Sequence, residues 1–126
     1  MPFTVMVVDD DEQILVLVEI LLRRQGYTVL KATSPYAALD LLKTNTPDLF
    51  LLDYMMPGMN GVELCQHIRA TAVLAKTPIV MLSALDSEEF IRLSRDAGAN
   101  GHIPKSEMHR RLATEIHQYL PTAQSK

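Results

Sequence analysis

The sequence predicts an α/β protein with a central parallel β-sheet and α-helices packed on both of its faces. Short apolar runs alternate five times with longer segments of helical periodicity along the 126 residues. Three of the runs, VMVV, LFLL and IVML, are continuously apolar, as expected of strands buried on both faces. Strands that alternate with helices in this way form parallel units with right-handed crossovers, which leaves few possible topologies.

Five strands are predicted, and each is a short run bounded by polar or turn-forming residues. The first strand ends at three consecutive aspartates. The third ends at Asp53, shortly before a turn formed by Pro57 and Gly58, so a buried strand leads directly into a carboxylate. The predicted strands span residues 3–8, 28–31, 48–52, 78–82 and 100–103.

A predicted helix follows each strand, and its ends carry start or stop signals. The first helix spans residues 12–25 and is closed by Gly26, which is a typical C-terminal stop. The second begins at Pro35, in the first helical position, and runs to about residue 43. The third extends to about residue 70 and the fifth to about residue 120. The predicted N-caps are Ser34, Asn60 with Glu63 in a capping box, Asp86 with Glu89, and Ser106.

The composition is that of one globular domain, with 48% hydrophobic and 21% charged residues. A net charge of -3 argues against direct nucleic-acid binding, which normally requires a basic face. The single cysteine, Cys65, excludes an internal disulfide and is expected to pack in or near the core. Together with the lack of a secretory signal pattern, it favours a cytoplasmic protein. The most apolar run, residues 14–22, is interrupted by Glu19 and is too short for membrane insertion.

Reactive side chains follow four of the five predicted strands. Asp9 and Asp10 follow the first strand, Asp53 the third, Ser83 the fourth and Lys105 the fifth. In an open parallel sheet the ligand site lies beyond the carboxyl ends of the strands, so these groups are expected to converge. Each one alone is unremarkable, since an aspartate after a strand usually caps a helix and a lone lysine is usually solvated. The conjunction of all of them is what indicates a site.

Carboxylates brought together repel one another and raise each other's pKa, so a cation is expected among them. Few ligands, all of them oxygen atoms, favour Mg²⁺. Lys105 supplies a second, mobile positive charge, and Asp53 is suited to act as a nucleophile toward phosphorus. Asp11 is assigned instead to the start of the first helix, as an N-cap or first-turn charge.

Four segments, VVDDDE, LLDYMMPGMNG, IVMLSA and GHIPK, give the chain its resemblance to a known family. In their order and approximate spacing it resembles the receiver domain of two-component response regulators over residues 3 to about 120. The resemblance implies a flavodoxin-like (βα)5 three-layer sandwich with a five-stranded parallel sheet of order 2-1-3-4-5. It also implies a receiver domain over residues 1–121 and a flexible C-terminal tail over residues 122–126.

The same resemblance implies a role for each carboxylate. Asp53 is the expected phosphoacceptor. Mg²⁺ is expected to bind Asp10 directly, Asp9 mostly through water, and Asp53 itself. The backbone carbonyl of Met55 is the third expected protein ligand, so the side chain at that position need not be polar.

A receiver accepts a phosphoryl group from a sensor histidine kinase or a histidine phosphotransfer protein. By resemblance, Ser83 is expected to hydrogen-bond a phosphoryl oxygen and to move on activation, and Lys105 to neutralise charge. The face formed by the fourth helix, fifth strand and fifth helix then controls a downstream effector or a fused output domain. The implied function is therefore a phosphoacceptor switch and not a metabolic enzyme. A homodimer and a degenerate receiver that acts without phosphorylation stay open as alternatives.

The chain departs from the family pattern at four positions in or near the site. Ser106 follows Lys105 where proline is common, and a trans bond is expected because a non-proline cis bond costs roughly 2.5 to 4 kcal/mol. His102 stands where the family has Tyr or Phe, and it is either a polar, titratable switch ring or an edge-strand histidine without a role. Met55 and Leu85 are apolar at positions that tune hydrolysis, which predicts a long-lived aspartyl phosphate.

The first helix is apolar on two opposite arcs. At 100° per residue, one arc is predicted to face the core and the other to face water beside Glu19 and Arg23, an i,i+4 ion pair. Family resemblance makes the outer arc a candidate contact surface for the phosphohistidine-bearing bundle of the kinase. Scattered exposure or a self-contact is the alternative. The predicted inner residues are Ile14, Leu17, Val18 and Leu21, and the predicted outer ones are Leu15, Val16 and Ile20.

Two other functional classes share part of this pattern. A Mg²⁺-dependent phosphohydrolase of the haloacid dehalogenase type has a second aspartate two residues after its nucleophile, where this chain has Met55. A flavodoxin-like mononucleotide binder has a Ser/Thr/Gly-rich loop after the first strand, where the three aspartates of this chain would repel a phosphate. Phosphatase turnover or a bound flavin would identify these classes.

Overall fold

The computed structural model describes residues 2–84 and 88–120. Within them strands and helices alternate, and the five predicted βα units are confirmed. The strands are β1 (Thr4–Val8), β2 (Thr28–Ala32), β3 (Leu49–Asp53), β4 (Ile79–Ser83) and β5 (Gly101–Pro104). The helices are α1 (Glu12–Arg24), α2 (Pro35–Leu41), α3 (Gly61–Ala70), α4 (Glu88–Asp96) and α5 (Met108–His117), with short 3-10 turns at Ala72–Leu74 and Lys105–Glu107. The predicted tail at 122–126, Leu85 and the predicted cap Asp86 lie outside the described residues.

All neighbouring strands are parallel, and their order in the sheet is β2-β1-β3-β4-β5, which confirms the expected flavodoxin-like order. The chain moves outward from β1 to β2 and then crosses to the other side of β1 to form β3. The order therefore switches between β1 and β3, and their carboxyl ends lead into Asp9 and Asp53. This is the point at which open parallel sheets bind ligands.

Alternate residues of each strand face two separate apolar cores. In β1, Val5 and Val7 lie in the core covered by α1 and α5, whereas Met6 and Val8 lie in the core covered by α2, α3 and α4. Strands β3 and β4 are buried along their whole length. Cys65 lies in the second core, as the sequence predicts. The three-layer sandwich follows from these two cores on opposite faces of one sheet.

Several predicted helix ends are confirmed by hydrogen bonds. Ser34 accepts a bond from the backbone of α2, and Asn60 and Glu63 form the reciprocal capping box of α3. Helix α1 ends in a Schellman motif, in which Gly26 has a φ of 90° and its N–H donates to the carbonyl of Arg23. Local signals were sufficient here because each bond joins residues that are close in sequence.

The rotation of α1 differs from the prediction at two positions. Leu15 is buried in the first core, with Val18 and Leu22, whereas Leu17 is exposed beside Val16. Because α1 is apolar around most of its circumference, its sequence does not determine which arc is inward. Packing against β1, β2 and α5 makes that choice. Leu15 is therefore removed from the predicted partner surface, and Leu17 joins it.

The start of α5 also differs from the prediction. The chain forms a 3-10 turn directly after β5, and α5 begins only at Met108, so the exposed Ser106 does not cap it. Glu107 holds the N-cap position without a side-chain hydrogen bond. The Lys105–Ser106 peptide bond is trans, as expected for a bond that does not precede proline. In the part of the chain that the structure describes, no helix is long and apolar enough to span a bilayer.

Candidate functional site

The site lies at the carboxyl ends of four adjacent strands. Asp9 directly follows β1, Asp53 and Ser83 are the last residues of β3 and β4, and Lys105 directly follows β5. Parallel pairing places these strand ends at one edge of the sheet, as the sequence analysis expected. Rigid, buried strands therefore hold the side chains in place.

Lys105 joins the two buried carboxylates of this edge. Its Nζ lies 2.9 Å from Oδ2 of Asp9 and 3.0 Å from Oδ1 of Asp53. Asp9 is fully buried and Asp53 is 2% exposed. One positive charge thus forms ion pairs with two buried carboxylates.

Asp9 retains unused acceptor capacity. Its Oδ1 accepts a hydrogen bond from the backbone N–H of Asp11 at 2.9 Å. Its Oδ2 is close to the Lys105 ammonium, but the contact lacks the alignment of a hydrogen bond, and no other described group donates to this oxygen. A buried carboxylate oxygen in this state is suited to a further cationic partner.

Asp10 completes an acidic triad at the surface. It is exposed, yet Asp9, Asp10 and Asp53 each offer an oxygen within 4.8 Å of the others, a spacing at which a metal ion can be held. Asp11 is not part of the triad. It caps α1 by accepting a hydrogen bond from the N–H of Gln13 at 2.9 Å, as predicted.

Opposing interactions act on the charge of Asp53. Burial first, and then the charge of Asp9, raise the pKa of Asp53 to about 6, although Lys105 and the backbone N–H of Met55 act to lower it. Burial acts to lower the pKa of Lys105, but its contacts with Asp9 and Asp53 outweigh burial and raise it. Asp53 is therefore mostly ionised at neutral pH, at an energetic cost that an added cation would relieve.

The loop after β3 positions the edge of the site through two glycines. Gly58 has a φ of 82°, a conformation that L side chains rarely adopt, and the ring of Tyr36 covers it. Gly61 lies directly against the backbone of Asp53, where a Cβ would clash with the carbonyl oxygen. The role of Gly61 and the cover by Tyr36 were missed by sequence reasoning, because both depend on contacts across the fold.

Three aromatic rings connect the acidic edge to β5. Tyr54, which follows Asp53, has its ring centroid 4.4 Å from that of Phe90 on α4, and Phe90 lies 5.4 Å from the ring of His102 in an edge-on contact. His102 is partly buried and not simply an exposed edge residue. Ser83, 1% exposed, lies opposite Pro104 in the register of β4 with β5. Sequence reasoning identified His102 and Ser83 but not the rings of Tyr54 and Phe90, which lead from the residue after Asp53 to His102.

A sequence model of the response regulator receiver domain matches residues 5–117. The chain belongs to this family. This match and the geometry of the acidic edge agree, and neither alternative functional class is needed to explain the site. As a receiver domain, the chain is a phosphoacceptor switch of two-component signalling, which is a signalling module.

Individual relatives agree with the family. The uncharacterized transcriptional regulatory protein YrkP of Bacillus subtilis (strain 168) is 37% identical over 123 residues, which cover 94% of this chain and 52% of that protein. Response regulator MprA of Mycobacterium sp. (strain KMS) is 39% identical over 105 residues, covering 83% of this chain and 45% of its own length. The chain spans about half the length of these curated relatives.

Solved structures share the fold closely. The chemotaxis protein CheY4 of Vibrio cholerae superimposes with a TM-score of 0.91 at 28% identity, covering 95% of this chain and 100% of that chain. Receiver domains pair with histidine kinases, and this places the acidic edge in the context of phosphoryl transfer.

Proposed function

We propose that Asp53 is the residue that accepts the phosphoryl group. The observation that carries this proposal is its position: a buried carboxylate at the end of β3, in contact with Lys105 and close to two further carboxylates. A carboxylate oxygen of Asp53 attacks the phosphorus of a phosphohistidine, the P–N bond breaks, and the imidazole leaves as an aspartyl phosphate forms. With a pKa of about 6, Asp53 is ionised and able to attack at neutral pH.

Asp9, Asp10 and Asp53, with the backbone carbonyl of Met55, are proposed to hold Mg²⁺. The three clustered carboxylates and the unused acceptor oxygen of Asp9 fit a small divalent cation that prefers oxygen ligands. When bound, Mg²⁺ would neutralise charge on the transferring phosphoryl group. Lys105 adds a second positive charge, held in place by two ion pairs until the phosphoryl group arrives.

The switch proposal concerns Ser83 and His102. Ser83 ends β4 beside Asp53, in a position suited to hydrogen-bonding a phosphoryl oxygen. The His102 ring packs on Phe90, and its Nε2 has no hydrogen-bond partner among the described residues, so no bond from that nitrogen fixes its conformation. Movement of Ser83 toward the phosphoryl group would let the ring shift and change the surface of α4, β5 and α5.

Partner recognition is proposed to use the α1 patch, defined as Val16, Leu17 and Ile20. These side chains belong to residues that are 54%, 38% and 46% exposed, which is unusual for three apolar neighbours on one helix. The partner is a sensor histidine kinase or a histidine phosphotransfer protein. The receiver itself would occupy residues 1–121, and it would act on an effector or a fused output domain, or through a homodimer, without contacting nucleic acid directly.

Intact-mass measurement after incubation with Mg²⁺ and acetyl phosphate tests the proposal. The wild-type protein should gain one phosphate, and Asp53→Asn should gain none. Asp40→Asn is the matched control, because Asp40 is an exposed aspartate on α2, and it should behave as wild type. Removal of Mg²⁺ with a chelator should suppress the uptake. A folded wild-type protein that takes up no phosphate would favour the degenerate receiver, and uptake by Asp53→Asn would assign the site to another residue.

A further inference from the structure

A small cleft lies between α4 and β5, outside the acidic triad. Its volume is about 90 Å³, and its polar lining comes from Ser94 and Arg95 of α4 and from Asn100 and His102 at β5. The space is sufficient for a small functional group but not for a nucleotide or a large cofactor.

Two residues that line this cleft each carry a buried polar atom without a hydrogen-bond partner among the described residues. Oγ of Ser94 and Nε2 of His102 have no hydrogen bond within the ranges 2–84 and 88–120. Ser94 is 2% exposed, and an inward serine on a helix commonly bonds a backbone carbonyl of the preceding turn, which this one does not. Buried polar groups are rarely left in this state, because each one costs free energy. Two such residues beside one cavity point to a ligand that reaches both atoms.

The third polar group of the cleft is a cation. Arg95 is exposed, and its side chain makes no ion pair with any described residue. Asn100, in contrast, is already used: its side-chain oxygen accepts bonds from Arg69 and from the backbone of Ile79. The available groups are therefore a guanidinium, a hydroxyl and an imidazole nitrogen, all of which can donate hydrogen bonds.

We propose that this cleft binds one carboxylate group. Arg95 would pair with its charge, and the Ser94 hydroxyl and the His102 imidazole N–H would donate to its two oxygens, which are planar acceptors well matched to a guanidinium. Glu115, a carboxylate that approaches Gly101 at the edge of the cleft, already contacts Tyr119 and Arg111. The Ser94 and His102 atoms are almost completely covered, so binding requires a small movement of the cleft wall.

The carboxylate can belong to a small organic acid or to an acidic side chain of a partner protein. Amide chemical shifts of the ¹⁵N-labelled protein test both sources. Sodium acetate should cause saturable shifts at residues 94, 95, 101 and 102, and sodium chloride at equal ionic strength should not. A blocked Ala-Glu-Ala peptide should cause the same shifts, and its Ala-Gln-Ala analogue should not. Tighter binding of the peptide than of acetate would identify a protein partner, and equal binding would identify a free acid.

Variants provide the decisive control. Arg95→Gln should weaken binding about tenfold, because it removes a charge-assisted hydrogen bond. Arg92→Gln changes a second exposed arginine on the same helix that does not line the cleft, and it should bind as wild type. Ser94→Ala should weaken binding while the melting temperature stays constant or rises, since the variant loses an unsatisfied hydroxyl. Equal effects of Arg95→Gln and Arg92→Gln, or no saturable shift with acetate and peptide, would overturn the proposal.

Discussion

Two partly buried cations, at opposite ends of the same sheet, are bound in different ways. Arg69 lies at the amino ends of β4 and β5, and Lys105 lies at the carboxyl ends of β1, β3, β4 and β5. Arg69 uses all five of its N–H donors on neutral oxygen atoms, at distances from 2.7 to 3.0 Å. The acceptors are the backbone carbonyls of Leu74, Thr77 and Gly98 and the side-chain carbonyl of Asn100.

The partners of Lys105 are carboxylates, and the negative charges at this edge outnumber its single positive charge. Its ammonium contacts Asp9 and Asp53, and Asp10 lies close to both. Arg69 therefore fixes loops with all of its N–H donors used on neutral acceptors, whereas the edge held by Lys105 keeps excess negative charge. An end with satisfied hydrogen bonds has little to gain from a ligand, but an end with uncompensated charge changes when a cation or a phosphoryl group arrives.

The largest expected effect is the loss of the Arg69 contacts. Arg69→Met should lower the free energy of unfolding by about 3 kcal/mol, because it leaves several partly buried carbonyls without donors. Any of the variant that remains folded should still take up phosphate. Denaturant titration measures the first quantity and intact mass the second, with Arg92→Met as the control for an exposed arginine. A loss of phosphate uptake by folded Arg69→Met would break the distinction between the two ends.

At the carboxyl ends of the strands, a substitution is expected to raise the free energy of unfolding instead of lowering it. Without Mg²⁺ at pH 7.5, Asp53→Asn should raise the free energy of unfolding by on the order of 2 kcal/mol, since the ionised carboxylate is disfavoured by burial and by Asp9. Urea titration gives this value, and Asp40→Asn should leave it unchanged. A destabilised Asp53→Asn would mean that the Lys105 ion pair outweighs the repulsion.

The raised pKa of Asp53 also predicts how pH acts on this end. Because the folded-state pKa of about 6 lies above the ordinary value of 3.8, folding favours the protonated form. The stabilisation that comes from protonated Asp53 is complete below pH 3.8 and is lost as the pH rises to about 6. Protons and Mg²⁺ compete for the same carboxylate, so the apparent Mg²⁺ affinity should fall by up to about tenfold per pH unit below about 6. Calorimetric Mg²⁺ titrations at pH 5 and 7.5 measure this, and Asp53→Asn should show a smaller dependence.

The smallest expected effect concerns the lifetime of the phosphorylated state. Met55 is 60% exposed at the rim of the site, where an apolar side chain cannot orient a water molecule for attack on phosphorus. Met55→Asn should accelerate dephosphorylation a few-fold without changing the extent of uptake. The rate is measured by following the loss of phosphate over time by intact mass. Val73→Asn, which changes another exposed apolar residue outside the site, is the control. An unchanged rate would count against shielding by Met55.

Local signals were enough to predict most of the fold. The alternation of apolar runs and amphipathic segments defined the order of elements, and caps such as Asn60 with Glu63 defined helix ends, because these interactions join residues near in sequence. The parallel topology then predicted that Asp9, Asp53, Ser83 and Lys105 would meet at one edge, since parallel strands finish on the same side. The acidic site was therefore predictable as a set of residues.

Tertiary packing determined the features that sequence patterns could not, namely the orientation of α1 and the contacts between distant elements. Helix α1 is apolar on both arcs, and only its contacts with the sheet and α5 made Leu15 a core residue and Leu17 a surface one. The five bonds of Arg69 and the cleft at Ser94 bring together residues that no periodic pattern links. Sequence patterns report the environment of a residue relative to its own helix or strand. The partner across a contact depends on how those elements are placed in space, and that placement exists only in the folded chain.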